Sequence, residues 1–235
     1  MLAFIAAEAR EFAGLLQHAS RVARLDWPLD FARSAELNGR TVVLAANGPG
    51  PKLAARAAEV IKEHHDLEGL VSIGFCGALS PALKPCDIFV ATDLFAVGQP
   101  VDVAHALSVP RSHSCERNVG KLLSIDRVAT SAQEKRTLNE QTHADAIEME
   151  AAGIARLAHQ WQIPFYAVKV VTDTASETFP LDFNRLRDDE GRFSRSKILA
   201  AALRRPTAFP ALLHLNQRCN LAAKALGDFL ADASF

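Results

Sequence analysis

Carboxylates recur in this sequence just after short apolar runs of the kind that form buried strands. Glu11 follows the first of these runs, Asp173 ends the last, and Glu148 and Glu150 lie at the start of an amphipathic helix. Polar residues at the carboxyl ends of strands in an open α/β sheet face the crevice where ligands bind. The pattern predicts a small-molecule site with several carboxylates, although each residue taken alone is more often a helix cap or a solvated charge.

A glycine-containing segment follows another apolar run. Gly74-Phe75-Cys76-Gly77 comes directly after residues 70–73, and we predict a turn there because two glycines at a strand end allow the backbone to approach a ligand or a neighbouring loop. The segment lacks the GxGxxG spacing of a dinucleotide site. Cys76 is expected to be a small, buried apolar residue rather than a reactive thiol.

The overall composition is that of a globular protein with almost no net charge. The 235 residues include 26 Lys and Arg against 27 Asp and Glu, and 49% are hydrophobic. No global basic field exists to attract nucleic acid or an anionic membrane, so only a local patch could do so. The four cysteines lack CxxC and Cys/His ligand spacings. We therefore expect reduced thiols, no metal and no organic cofactor.

The first residues and the hydropathy pattern bear on location. The N-terminus lacks the basic start and the long apolar core of a signal peptide. The sequence also lacks an apolar run of about 18 residues, the length that indicates a membrane span. These features predict a cytoplasmic protein without a membrane span.

The elements that must position the carboxylates alternate between strand and helix, which predicts an α/β fold in one domain over residues 1–235. Strands are predicted at residues 2–7, 41–46, 70–73, 88–92 and 165–171. Helices are predicted around Phe12, Leu15 and Leu16, over residues 53–61 and over residues 150–161. The dipeptide Asn38-Gly39 predicts a hairpin before the second strand.

The C-terminal third carries two further expectations. The charged stretch 181–205 is predicted to be a solvated loop, with a cover over a pocket as the alternative, and residues 98–117 are similarly weak in pattern. A final helix within residues 194–235 is expected to pack its apolar side chains onto the sheet. Those side chains are Leu203, Phe209, Leu212, Leu213, Leu215, Leu221, Leu226, Phe229 and Leu230.

Several segments resemble the nucleoside phosphorylase superfamily, and within it the 5'-methylthioadenosine/S-adenosylhomocysteine nucleosidase branch. The matching segments are residues 7–12, 37–51, 72–79, 83–88, 146–152 and 168–175, in the order found in the family. The Glu-Met-Glu-Ala sequence at residues 148–151, together with a later strand that ends in Thr-Asp, is the most specific part. The resemblance implies a three-layer phosphorylase/hydrolase-like α/β fold with a central mixed sheet flanked by helices.

The resemblance also implies roles for individual residues. Asp173 matches the acid that protonates N7 of a purine, and Glu11 matches the carboxylate that orients and deprotonates the attacking water. Glu150 matches the carboxylate that holds the ribose hydroxyls, and Met149 the side chain beneath the sugar. Asp173 must be protonated when it acts, so a partly dry pocket should raise its pKa, whereas Glu11 must stay ionised.

The other substrate-binding residues implied by the resemblance come from the same motifs. They are Glu148, Gly74, Phe75, Cys76, Val128 and Ala129. The segment 126–129 stands where the nucleosidases carry an aromatic residue that stacks on adenine. This departure is similar to hopanoid-associated nucleosidases, and it makes a bulky apolar 5' substituent as plausible as methylthioribose.

Water and phosphate are the two candidate nucleophiles. Family phosphorylases hold phosphate with arginines, whereas here Glu11 would repel the anion and the bulk of Phe75 would obstruct it. We therefore expect a hydrolase that acts on an adenosine-type nucleoside. Arg10 keeps a purine nucleoside phosphorylase open, and futalosine hydrolase and a silent nucleoside-binding protein are further alternatives. The family also implies a homodimer or higher homo-oligomer.

Overall fold

The computed structural model describes residues 1–96, 108–111 and 116–235. Nine strands in this part of the chain form one sheet with the order β2-β3-β4-β1-β5-β8-β7-β6-β9. Their bounds are β1 Leu2–Ala6, β2 Ser20–Arg24, β3 Phe31–Leu37, β4 Arg40–Ala46, β5 Gly69–Ala78, β6 Ile88–Ala96, β7 Asn118–Ser124, β8 Ala146–Glu148 and β9 Phe165–Asp173. Both parallel pairs, such as β1–β5, and antiparallel pairs, such as β6–β9, occur. The sheet is therefore mixed, as predicted.

One half of the sheet closes on itself. Besides its neighbour β6, the last strand β9 pairs in parallel with β5 over eight positions from Leu70–Phe165 to Gly77–Asp173. The strands β5, β8, β7, β6 and β9 thus form a circuit of hydrogen-bonded neighbours. This closure brings the ends of β5, β8 and β9 to one place.

Helices cover both faces of the sheet. Their bounds are α1 Leu15–His18, α2 Pro51–His64, α3 Ala132–Thr142, α4 Ala151–Trp161, α5 Arg195–Arg204 and α6 Phe209–Asp232. Side chains of α2 and α4 form one core with Ala3 and Ile5 of β1. Side chains of α6 form the other core with Leu2 and Phe4. Because successive strand side chains point to opposite faces, β1 is buried on both, and the predicted three-layer α/β arrangement is confirmed.

Local sequence explains several element boundaries. Asn38 and Gly39 both have positive φ, at 52° and 75°, and form the predicted hairpin between β3 and β4. Helix α2 begins with Pro51, whose fixed φ and missing N–H suit the first helical position. Ser131 caps α3 by accepting a hydrogen bond from the backbone N–H of Glu134.

Several boundaries differ from the sequence-based expectations. The predicted turn at Gly74-Phe75-Cys76-Gly77 is wrong, because β5 continues through it to Ala78, although the φ of Gly74 is +124°. The helix expected after β1 is a 3-10 turn, Ala9–Phe12, followed by the single-turn α1. Glu148 ends the short strand β8 rather than opening a helix, and Glu150 is the residue that precedes α4.

The C-terminal third is more ordered than the sequence suggests. Residues 181–205 contain a 3-10 turn and α5, and Arg187 and Arg192 donate hydrogen bonds to Asp126 and Asp30. The prediction of a solvated loop is therefore wrong for residues 183–186 and 195–204, whereas Asp188, Asp189 and Glu190 between them are exposed and not helical. Most of residues 98–117 lie outside the described part of the chain.

The final helix packs on the sheet as predicted, but not with every apolar side chain named. Leu226, Phe229 and Leu230 of α6 are buried, whereas Leu203, Phe209, Leu213 and Leu221 are exposed. Cys76, Cys86 and Cys219 are free thiols, and Cys115 lies outside the described residues. Among the residues that the structure describes, no helix combines the length and the apolarity required to cross a membrane.

Helix α6 fixes the turn that carries Glu11. A Cβ on Gly14 would lie 2.2 Å from the carbonyl oxygen of Ala223, and a Cβ on Gly227 would lie 2.1 Å from the carbonyl carbon of Gly14. The helix and the chain just after the Glu11 turn therefore touch backbone to backbone. Neither contact tolerates a side chain without a shift of the backbone.

We expect Gly227→Ala to lower the free energy of unfolding by about 1–3 kcal/mol, because the added methyl group would force α6 away from Gly14. Urea unfolding of the purified variant measures this change. Asn220→Ala, at an exposed position on the same helix, is the matched control and should change stability little. Equal stabilities for the two variants would contradict the proposed contact.

Candidate active site

A cavity of about 410 Å³ lies at the carboxyl ends of the strands. Residues at the ends of four strands line it: residue 7 after β1, residues 75–77 of β5, residues 147 and 148 of β8, and residues 172 and 173 of β9. The topology explains this convergence, since β5 pairs with β1, β8 and β9. The cavity therefore occupies the place where strand-end residues meet.

Glu11 is buried at one side of the cavity and held in a fixed orientation. Its Oε1 accepts a hydrogen bond of 2.8 Å from the backbone N–H of Phe75, and its Oε2 accepts one of 2.7 Å from that of Glu8. Burial raises the pKa of Glu11, and the two backbone hydrogen bonds oppose that rise only in part. Glu11 therefore binds a proton more readily than an exposed glutamate does, and the two backbone hydrogen bonds favour the ionised form that the resemblance implies.

Gly74 makes room for this carboxylate. A Cβ at position 74 would lie 2.4 Å from Glu11 Oε1, and the φ of +124° also disfavours any residue with a side chain. Gly74 does not line the cavity itself. The glycine expected to approach a ligand instead lets β5 approach Glu11.

Asp173 is buried at the end of β9. Its Oδ1 accepts a hydrogen bond of 2.8 Å from the Thr172 hydroxyl, and its Oδ2 contacts the ammonium group of Lys135. Burial raises the pKa of Asp173 more than Lys135 and Thr172 lower it. The carboxyl group therefore holds a proton more readily than an exposed aspartate does.

Gly77 leaves space for Asp173 in the same way that Gly74 does for Glu11. A Cβ at position 77 would lie 2.8 Å from Asp173 Oδ2. The β5–β9 register also shifts between Cys76 and Gly77, so that Gly77 lies opposite Asp173. The two glycines of one strand thus accommodate two different carboxylates.

Lys135 is a site residue that the sequence analysis missed. It lies on α3, its side chain is fully buried, and its Nζ also donates a 2.8 Å hydrogen bond to the Thr174 carbonyl oxygen. The Ser131-x-x-Glu134 pattern could have located the start of α3. Nothing in the sequence indicates that a lysine in its first turn points inward.

A second buried lysine holds Glu148 and Glu150 together. Lys169 Nζ lies 2.9 Å from Glu148 Oε2 and 3.9 Å from Glu150 Oε2, and it donates to the carbonyl oxygen of Ile73 at 3.0 Å. Its side chain is fully buried. A buried charge of this kind is tolerated only when paired charges and hydrogen bonds surround it.

The two glutamates of this cluster differ in pKa. Burial raises the pKa of Glu148, but Lys169 and hydrogen bonds from Ser124 and Glu150 outweigh it and leave the pKa below its ordinary value. For Glu150, burial and the nearby Glu148 charge raise the pKa to about 8. Glu148 is thus the fixed anion that pairs with Lys169. Glu150, with a pKa of about 8, is the glutamate whose protonation changes near neutral pH.

Glu150 also connects the cavity to α2. Its Oε1 accepts a 3.0 Å hydrogen bond from the backbone N–H of Gly50, the residue that precedes the helix. Gly50 has a φ of +101°, which only glycine adopts easily. The glycine-rich segment at residues 47–52, a weak signal in the sequence, therefore helps to orient a site carboxylate.

The four predicted carboxylates line the cavity, and so do five other predicted residues, Phe75, Cys76, Met149, Val128 and Ala129. Burial raises the pKa of the Cys76 thiol, which agrees with a role as a small apolar residue. The backbone N–H and C=O of Val128 already bond to the side chain of Asn184, at 2.8 and 2.9 Å. A ligand could use these backbone groups only by displacing Asn184.

One wall of the cavity is apolar and comes from the C-terminal third of the chain. Its members are Phe179, Phe183, Phe193, Ile198, Leu212 and Leu215. The sequence predicts no role for this stretch other than a cover over a pocket. The wall places apolar surface in the same cavity as the buried carboxylates, so the site suits a ligand with both a polar and an apolar part.

Known proteins share this fold. The phosphorylase superfamily model matches residues 10–204. A 5'-methylthioadenosine/S-adenosylhomocysteine nucleosidase of Staphylococcus haemolyticus is 25% identical over 184 residues, which cover 68% of this chain and 81% of that protein. An aminodeoxyfutalosine nucleosidase of Campylobacter jejuni is 22% identical over 220 residues, which cover 84% and 96%.

A solved structure aligns over nearly the whole chain. It is a 5'-methylthioadenosine/S-adenosylhomocysteine nucleosidase from Neisseria meningitidis in complex with methylthio-immucillin-A. The alignment covers 98% of this chain and 96% of that one, with a TM-score of 0.72 and 21% identity. This similarity confirms the predicted fold class.

We expect Lys169→Met to lower the free energy of unfolding by about 3–5 kcal/mol, because it leaves Glu148 buried without its cation. Thermal or urea unfolding measures the loss. Lys62→Met removes an exposed lysine and should cost well under 1 kcal/mol, as exposed ion pairs do. A Lys169→Met protein as stable as the Lys62→Met control would show that the buried pair contributes little.

Proposed function

Because the chain belongs to the phosphorylase superfamily, we propose that it is a purine nucleosidase, which hydrolyses the N-glycosidic bond of an adenosine-type nucleoside with a 5' substituent. The observation that carries the proposal is the burial of Glu11 and Asp173 on one cavity, each held by specific hydrogen bonds. Cleavage of such a bond needs a group that protonates the leaving base and another that activates the nucleophile.

In the proposed reaction, Asp173 donates a proton to N7 of the purine while the bond between C1' and N9 breaks. The bonding electrons leave with the base, and the sugar develops oxocarbenium character. Glu11 takes a proton from a water molecule whose oxygen bonds to C1'. The products are free base and the ribosyl compound. The raised pKa of Asp173 supports its role because the acid must carry a proton before the bond breaks.

Glu150 and Met149 are proposed to hold the ribose. Glu150 can accept hydrogen bonds from the sugar hydroxyls while Gly50 fixes its orientation. Glu148 is buried, where it accepts hydrogen bonds from the backbone N–H groups of Glu150 and Ala151 and pairs with Lys169. We therefore assign Glu148 to positioning Glu150 rather than to direct contact with the substrate.

Water is favoured over phosphate as the nucleophile. A phosphate anion beside Glu11 would meet a carboxylate in a poorly solvated place. Arg10, the cation that could attract it, lies over the ring of Phe75 at 5.2 Å and within 3.5 Å of Glu8. These contacts already engage the guanidinium group.

The apolar wall supports a substrate with a bulky apolar 5' substituent. The wall has six apolar side chains, and five of them remain for the 5' substituent when Phe179 contacts the base. The ring centre of Phe179 lies 5.3 Å from Nζ of Lys135, the lysine that pairs with the proposed acid Asp173. We assign Phe179 to the aromatic surface for the base that segment 126–129 lacks.

The proposal also covers the domain organisation, location and oligomeric state of the enzyme. Residues 1–235 are taken as one domain, since all nine described strands belong to one sheet. Free thiols at Cys76, Cys86 and Cys219 support a cytoplasmic location. The assembly is proposed to be a homodimer or higher homo-oligomer, which size-exclusion chromatography with light scattering can establish.

The direct test is base release from a panel of nucleosides, with and without phosphate. The panel contains 5'-methylthioadenosine, S-adenosylhomocysteine, futalosine, inosine and 5'-hexylthioadenosine. We expect phosphate-independent release, with the highest kcat/KM for the hexylthio compound because its chain can cover the apolar wall. Formation of a ribose 1-phosphate product that requires phosphate would overturn the hydrolase assignment. Binding without turnover across the panel would indicate a silent nucleoside-binding protein.

Glu11→Gln should lower kcat by about 100- to 10,000-fold, because the amide cannot take a proton from water. Nucleoside binding, measured by calorimetry, should change little, since the amide oxygen can still accept one of the two backbone hydrogen bonds. Glu59→Gln, which alters an exposed glutamate on α2, is the matched control. An active Glu11→Gln enzyme would exclude the role proposed for this residue.

Lys135→Met should shift the alkaline limb of the pH profile of kcat/KM to higher pH. Lys135 lowers the pKa of Asp173, so its removal raises that pKa, and the acid keeps its proton at higher pH. Arg136→Met on the exposed side of α3 should leave the profile unchanged. A shift to lower pH, or none, would contradict a direct effect of Lys135 on Asp173.

A further inference from the structure

Four large apolar side chains of the C-terminal third point away from the protein. Leu199 and Leu203 on α5 are 56% and 65% exposed, and Phe209 and Leu213 on α6 are 38% and 60% exposed. Each pair has the i, i+4 spacing that places two side chains on one side of a helix. We refer to these four residues as the apolar face.

The same two helices also contribute to the cavity. Ile198 of α5 and Leu212 and Leu215 of α6 line it, and each is next to or near a residue of the apolar face in sequence. The inner sides of the helices thus form part of the cavity wall. Their exposed sides carry the apolar face.

The charge of this region differs from that of the whole chain. Residues 193–227 contain no Asp or Glu and six Lys or Arg, whereas the whole chain has a net charge of -1. Within this segment, Arg218 pairs with Glu177 and Lys224 with Asp228. Arg204, the last residue of α5, and Arg205, which also donates a hydrogen bond to the carbonyl oxygen of Pro180, are both exposed and follow Leu203 in sequence.

We propose that the apolar face docks on the surface of an anionic phospholipid bilayer. Two interactions hold a protein at a membrane surface: apolar side chains insert among the lipids, and cationic side chains attract anionic headgroups. The exposed leucine and phenylalanine side chains can supply the first, and the neighbouring arginines the second. The association is peripheral. Docking in this orientation places the helices that line the cavity at the bilayer.

The charge distribution favours a bilayer over a second copy of the chain. In a twofold dimer, the same surface of each copy meets its equivalent. Dimerisation through the apolar face would therefore bring the acid-free segments of two copies together, with Arg204 and Arg205 of both at the contact. An anionic membrane offers the opposite charge instead.

Vesicle flotation tests docking with the full chain. We expect the protein to float with vesicles of phosphatidylcholine mixed with phosphatidylglycerol, to float poorly with phosphatidylcholine alone, and to dissociate as salt is raised. Leu203→Gln combined with Leu213→Gln should weaken binding by about tenfold. Arg204→Gln should weaken it by about fivefold. Neither change touches a residue that lines the cavity, so turnover of water-soluble nucleosides should stay the same.

Matched controls change exposed residues on strands of the sheet instead of residues on α5 and α6. Val119→Gln changes a valine that is 56% exposed on β7, and Arg24→Gln changes an exposed arginine on β2. Both should bind vesicles like the unmodified protein. Equal losses in the controls, or no flotation of the unmodified protein with anionic vesicles, would overturn the proposal.

Two further outcomes separate this inference from its alternatives. If the protein is an oligomer without vesicles and the double leucine variant dissociates it, the apolar face is a subunit contact and docking is wrong. Vesicle binding does not depend on the proposed reaction. Flotation without any nucleoside turnover would therefore remove the nucleosidase proposal while docking stands, and turnover without flotation would do the reverse.

Discussion

The burial of Lys169 between Glu148 and Glu150 is the interaction on which the rest of the site depends. Lys169 comes from the middle of β9, and the glutamates come from the end of β8 and the residue that precedes α4. Its ammonium group lies closer to Glu148 than to Glu150, and through the carbonyl oxygen of Ile73 it also connects these residues to β5. Without that cation, desolvation would favour protonated carboxyls and remove the fixed anion that orients Glu150.

Lys135 pairs with another buried carboxylate of the cavity, Asp173, with a different result. Glu148 has a lowered pKa beside Lys169, whereas Asp173 has a raised pKa despite Lys135. Backbone N–H groups of Glu150 and Ala151 stabilise the Glu148 anion in addition to the lysine, and Asp173 has only a threonine hydroxyl in that role. The number of hydrogen-bond donors therefore separates a structural anion from a carboxyl group that can supply a proton.

The sequence predicts the outline of the site better than its interior. Glu11, Glu150 and Asp173 could be found because they follow apolar runs or belong to a specific motif, and the structure places all three on one cavity. Lys135 and Lys169 could not be found in this way, because lysine is almost always exposed in proteins. Only their contacts with carboxylates in the folded structure show that both are buried. The predicted turn at residue 74 failed for a similar reason, since glycine there serves a contact with Glu11 rather than a change of chain direction.

The near-neutral net charge conceals a division of the chain into regions with different surfaces. Buried carboxylates and lysines face one side of the cavity, and the acid-free segment 193–227 supplies much of the other side. Some apolar residues of that segment pack in the core, some line the cavity, and others, such as Leu203, are exposed to solvent. A segment that served only to close the cavity would need a polar outer side. Its apolar outer side is therefore best explained by a second surface that it must contact.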